Sequence, residues 1–69
     1  MFIDKFKERF RNLVDVMGKT KNGCAETLGI SYQAVVDAYN YGKVPNVRAL
    51  VRIANYFNVS VDYLLGRTD

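Results

Sequence analysis

The strongest constraint on this chain is that it lacks the residues for an internal disulfide or a zinc site to stabilise its fold. Its 69 residues include one cysteine, Cys24, and no histidine. A single cysteine cannot form an internal disulfide, and a zinc site needs several cysteine or histidine ligands. We therefore expect no metal and no cofactor. We expect a single domain over residues 1–69, stabilised by apolar packing alone around a modest core.

Apolar residues recur at spacings of three and four, which is the period of one helix face, and no segment alternates apolar and polar residues. Residues that cap helix starts, and glycines that follow helix ends, divide the chain into five helical segments. The predicted fold class is all-α. The predicted helices run over Ile3–Met17, Lys21–Leu28 after Thr20, Tyr32–Tyr39 after Ser31, Val47–Phe57 after Asn46, and Val61–Leu65 after Ser60, with a loop over 40–45.

Charge and hydropathy limit the classes of partner. No apolar run approaches the roughly 20 residues that a membrane span requires, and the first residues lack the pattern of a signal peptide. The sequence thus predicts a cytoplasmic protein without a membrane partner.

The net charge is +3, and residues 19–52 carry the excess, with five Lys or Arg against Glu26 and Asp37. A basic stretch of this kind favours an acidic partner.

The most informative motif lies between the second and third predicted helices, in the segment Ala25-Glu26-Thr27-Leu28-Gly29-Ile30-Ser31. A small alanine lets the following helix cross closely, and glycine adopts the positive φ of the corner. Ile30 is expected to be buried at the corner, and Ser31 to cap the next helix. Two short helices joined in this way form a helix-turn-helix.

This motif, together with two others, resembles the lambda-repressor-like (Cro/Xre-type) family of helix-turn-helix regulators. The resemblance extends from about Phe6 to Leu65. Beyond the turn it includes Gly42-Lys43-x-Pro45, and then Leu50-x-x-Ile53-Ala54-x-x-Phe57-x-Val59-Ser60-x-Asp62-x-Leu64-Leu65. It implies a compact five-helix DNA-binding domain.

The resemblance also implies that the third helix enters the major groove of duplex DNA. The matching positions for base contact are Tyr32, Gln33, Val36 and Asp37. Gln33 can pair with adenine, Val36 can touch a thymine methyl, and Asp37 can accept from a cytosine amino group. The matching positions for phosphate contact are Lys19, Lys21, Ser31, Asn40 and Lys43.

Several residues depart from the family pattern. Lys21 stands where glutamine is usual, Gly23 replaces a better helix former, and Lys19 takes a usually apolar position. Tyr39 stands where an acidic residue is common, and the segment between Ser31 and Gly42 is one residue longer than the common form.

The sequence therefore predicts a sequence-specific transcription regulator, a repressor that binds operator DNA as a homodimer. The alternative is a protein-interaction module on the same scaffold, such as an antitoxin or anti-repressor. Two features motivate it: Tyr32, Val36 and Tyr39 make the third helix unusually apolar, and Asp37 is negative where DNA is also negative. An enzyme is not expected, since no catalytic histidine or phosphate-binding loop is present. No small-molecule ligand is expected, Cys24 is expected in the core, and arginines 9, 11, 48 and 52 are expected to be solvated.

Overall fold

The protein is described here from a computed structural model that covers residues 2–67, with side chains from residue 5 onward. All secondary structure in this range is helical, which confirms the predicted all-α class. None of these helices has the length and hydropathy needed to cross a membrane. The helices are α1 (Phe2–Met17), α2 (Lys21–Leu28), α3 (Tyr32–Tyr41), α4 (Val47–Phe57) and α5 (Val61–Leu65).

Four helices begin at the capping residues that the sequence predicts. Each cap has an extended backbone, and its side-chain oxygen accepts a hydrogen bond from the backbone N–H three residues later. These bonds satisfy N–H groups that have no partner inside the helix. The caps are Thr20 for α2, Ser31 for α3, Asn46 for α4 and Ser60 for α5, with N···O distances of 3.1, 3.1, 2.8 and 2.9 Å.

The end of α3 was predicted wrongly. The expected loop began at Asn40, but α3 continues through Asn40 and Tyr41 to a stop at Gly42. Gly42 has a φ of 70°, and its N–H donates to the carbonyl of Ala38 at 3.1 Å. Because glycine adopts this left-handed conformation without a steric cost, the helix ends at Gly42 and not at the weak helix former Asn40.

The core is formed by apolar side chains from all five helices. Phe6 and Phe10 of α1 are fully buried and stacked, with ring centroids 5.7 Å apart. Ile30 is only half-buried, although it does pack against the core. The buried cluster includes every inward position predicted for α2 and α3, which confirms that prediction. Its members are Phe6, Phe10, Val14, Cys24, Ala25, Leu28, Val35, Ala38, Leu50, Ile53, Ala54 and Leu64.

Two arginines of α1 are not simply solvated, as the sequence suggested. Arg11 Nε donates to the carbonyl of Tyr39 at 2.6 Å, and its guanidinium lies 4.7 Å from the centre of the Tyr39 ring. Arg9 donates to the carbonyl of Tyr63, and its guanidinium lies 4.2 Å from the centre of the Tyr63 ring. The last turns of α3 and α5 have no basic residue of their own. The α1 arginines supply the cations that helix C-termini favour.

Replacing either of two glycines in the α2 region by alanine should change the free energy of unfolding in opposite directions. Gly29 ends α2 with a φ of 71°, so Gly29→Ala should lower the free energy of unfolding by about 1–2 kcal/mol. Gly23 lies inside α2, and an added Cβ would find its nearest atoms at 3.4 Å, an ordinary contact. Gly23→Ala should therefore raise the free energy of unfolding by about 0.5–1 kcal/mol.

Urea denaturation of the two variants, followed by circular dichroism, measures both changes against the unsubstituted protein. Each variant is the control for the other, because Gly23 lies in the first turn of α2 and Gly29 directly follows its last residue. A neutral Gly29→Ala, or a destabilising Gly23→Ala, would contradict this account of α2.

Candidate nucleic-acid interface

A three-residue turn between α2 and α3 sets where α3 begins. The N–H groups of Gly29 and Ile30 both donate to the carbonyl of Ala25, at 2.9 and 3.1 Å. These bonds close the end of α2, and the Ser31 cap starts α3 immediately afterwards. The Ser31 hydroxyl accepts from Ala34 N–H, so its own hydrogen remains available to an external acceptor such as a phosphate.

The side chains predicted to contact bases lie on the outer side of α3. Tyr32 is 51% exposed, and Gln33 is exposed beside it. Val36 and Asp37 are half-buried, and Val36 is not among the side chains that pack on the core. Gln33 Nε2 donates to Asp37 Oδ1 at 2.9 Å, a bond across one turn of the helix. The first turns of α3 thus present a connected polar surface to solvent.

A groove beside α3 brings together residues predicted for base contact and for phosphate contact. It has a volume of about 250 Å³ and lies between α3 and the loop that leads to α4. Gln33 and Asp37 line it from α3, Ser31 from the helix start, and Lys43 from the loop. Lys43 is exposed, so its ammonium is accessible at the edge of this surface.

The other predicted phosphate contacts are Lys19, Lys21 and Asn40, which do not line this groove. Lys19 and Lys21 are near the start of α2, and Lys21 borders the same surface depression as Tyr32. The Lys21 ammonium lies 4.5 Å from the centre of the Tyr39 ring, a cation–π contact. Asn40 is exposed in the last turn of α3, not in a loop.

Tyr39 lies on the same side of α3 as Tyr32 and Val36, because residues four and seven positions apart share a helix face. It packs against the core, and its hydroxyl donates to Asp15 Oδ1 at 2.8 Å. This hydrogen bond, which stabilises the protonated phenol, is the main reason that the pKa of Tyr39 is raised. Burial and the Asp15 charge act in the same direction, and Arg11 opposes them. Tyr39 therefore joins α3 to α1 and remains half-buried.

The structure places two further cations beside the start of α3 that the sequence did not assign to the site. Arg48 and Arg52 of α4 line a shallow depression together with Ser31 and Ala34. A Cβ at Gly29 would lie 2.9 Å from Arg52 Nη1, so this guanidinium covers the turn. Their spacing of four residues indicated a shared face of α4, but only the packing of α4 shows which element that face adjoins.

The remaining reactive groups do not form a site. Cys24 is fully buried, and this burial raises the pKa of its thiol while the charges of Lys19 and Lys21 oppose the change. A buried thiol with a raised pKa is a poor nucleophile. Among the described side chains of residues 5–67, no three His, Cys, Asp or Glu are grouped so that they would hold a metal ion.

No family model, curated protein or solved structure matches this chain. The features that bear on function are therefore those of the molecule itself. They are the exposed polar start of α3, the groove that it shares with Lys43, and the cations beside that start.

Proposed function

We propose that this chain is a lambda-repressor-like helix-turn-helix domain that binds duplex DNA sequence-specifically and represses transcription. In this proposal α2 and α3 are the two helices of the motif, and α3 enters the major groove. The observation that carries the proposal is the outer face of α3. Its first two turns carry the exposed Tyr32 and Gln33 and the half-buried Asp37, whose polar groups are of the types that recognise base edges.

The distribution of charge supports the same orientation. Lys21 borders the depression beside Tyr32, and Lys43 lines the groove beside α3. Arg48 and Arg52 lie beside the turn. Contacts from such side chains to phosphates position a protein on DNA, and contacts to base edges determine the sequence. Asp37 is the one acidic side chain in the groove, and Gln33 donates to it.

We propose that the protein binds as a homodimer in the cytoplasm. One short helix contacts only a few base pairs, so specific recognition favours two copies on two half-sites about one helical turn apart. The expected operator is accordingly a palindrome.

A protein-interaction module remains the second proposal, and the apolar stripe of α3 is the observation that favours it. Of the three apolar residues that suggested it, Tyr39 packs against α1 and the core. Tyr32 and Val36 remain at the surface, and Tyr41 of the same helix is 73% exposed. Gln33 and Asp37 lie beside Tyr32 and Val36. This composition is less suited to docking in an apolar groove of a partner protein than to contacts with base edges.

Selection from a pool of random duplex DNA tests the proposal. The purified protein is mixed with the pool near physiological salt, and the bound fraction is sequenced. We expect enrichment of a palindrome whose half-site spacing reports the geometry of the dimer. A folded, helical protein that enriches no sequence would contradict the proposal and favour the interaction module.

A further inference from the structure

We infer that Asp37 positions the side-chain amide of Gln33 so that α3 selects adenine over guanine, an inference that rests on the proposed DNA-binding function. Gln33 Nε2 donates to Asp37 Oδ1 at 2.9 Å. Gln33 is exposed, Asp37 is half-buried, and both line the groove beside α3. The bond therefore joins two side chains on the surface that would face the bases.

The number of donors and acceptors determines which base this pair favours. A glutamine amide has two N–H donors and one carbonyl acceptor. Because Asp37 accepts from one N–H, Gln33 keeps one donor and one acceptor for a base. Adenine matches this arrangement, with an acceptor at N7 and an amino donor at N6.

Guanine does not match the same arrangement. It presents two acceptors, N7 and O6, at the corresponding edge. With one N–H of Gln33 held by Asp37, the amide oxygen would face one of these acceptors without a hydrogen between them. Without Asp37 the amide is free to rotate and to direct its N–H groups at guanine. Asp37 thus fixes the orientation of the Gln33 amide, and in that orientation the amide pairs with adenine and not with guanine.

The Asp37 carboxylate is expected to change affinity and base selectivity in different ways, so the two effects can be measured separately. A negative charge near the phosphates weakens binding to every DNA sequence, whereas its hydrogen bond acts at one base pair. In the free protein such a pair, one turn apart on an exposed helix, is weak. It becomes stronger when the groove is occupied and water is excluded from it. Asp37 therefore lowers the overall affinity and raises selectivity.

Two substitutions separate the charge of Asp37 from its positioning role. Asp37→Asn removes the charge and retains an oxygen that accepts from Gln33, whereas Asp37→Ala removes both. Equilibrium dissociation constants are measured on two duplexes that differ only in adenine or guanine at the base pair where Gln33→Ala abolishes a preference. We expect the unsubstituted protein and Asp37→Asn to favour adenine by about tenfold or more. We expect Asp37→Ala to lose most of that ratio while it binds both duplexes more tightly.

The inference is overturned if Asp37→Ala keeps the adenine-to-guanine ratio, or if it changes the preference only at a neighbouring cytosine, which would make Asp37 a direct base contact. Failure of the proposed function differs from both outcomes, because the unsubstituted protein would then bind neither duplex specifically. A measurement on the complex with the adenine duplex adds a second test. The NMR signals of the Gln33 side-chain amide should shift in Asp37→Ala more than in Asp37→Asn, and unchanged signals in both variants would overturn the inference.

Discussion

Raising the salt concentration from 50 to 200 mM should weaken operator binding by about 1,000-fold, if both protomers of a dimer place Lys19, Lys21 and Lys43 at phosphates. Six such contacts release six counterions, which corresponds to a slope of about −5 in log affinity against log salt. Lys21 borders the depression beside Tyr32, and Lys43 lines the groove beside α3. Lys19 is exposed two positions before Lys21. Titrations of a labelled operator at several salt concentrations give the slope.

A single lysine substitution tests whether the salt dependence arises from the surface beside α3. Lys43→Gln should reduce the slope by about 2, since the dimer loses two phosphate contacts. Lys5→Gln removes the same charge from the part of α1 that lies next to Gly66, so it is the matched control and should leave the slope unchanged. An equal effect of both substitutions, or binding that is insensitive to salt, would count against the proposed orientation on DNA.

Phe10→Ala should lower the free energy of unfolding by about 3–5 kcal/mol. Phe10 is fully buried and stacks on Phe6, so its removal leaves a cavity at the centre of the core. The total stability of a 69-residue chain is expected at about 3–10 kcal/mol. The substitution therefore removes a third or more of the stability, and we expect much of the variant to be unfolded at 37 °C.

Thermal and urea unfolding, followed by helical circular dichroism, measure this loss. Val16→Ala is the matched control, because Val16 lies on the same helix and is 86% exposed. It should change the free energy of unfolding by less than about 0.5 kcal/mol. A Phe10→Ala variant that unfolds within about 1 kcal/mol of the unsubstituted protein would contradict the description of the core.

Local signals in the sequence predicted most of the fold correctly. The caps Thr20, Ser31, Asn46 and Ser60 each act through a backbone N–H only three residues away, so nothing distant is needed to locate them. The inward positions follow from helical periodicity in the same way. The end of α3 was missed because two signals compete there, a weak helix former at Asn40 and a left-handed glycine at Gly42, and the glycine determines the stop.

Contacts between distant parts of the chain could not be predicted from these signals. Arg11 bonds to a carbonyl 28 positions away and Arg9 to one 54 positions away. No periodicity in the sequence relates such positions. The same limit applies to the candidate interface, where the sequence placed Gln33 and Asp37 on one helix face correctly. The position of Arg52 over the Gly29 turn depends on how α4 packs.

The central claim, that the outer face of α3 recognises bases, is tested most directly by the binding of Gln33→Ala to variants of a selected operator. Asn12→Ala is the control, because Asn12 is exposed on α1. We predict that Gln33→Ala loses about 1–3 kcal/mol of binding free energy on the selected operator, with loss of preference at one base pair per half-site. The control should match the unsubstituted protein. Equal weakening of Gln33→Ala on every operator variant, or no weakening at all, would contradict base recognition by α3.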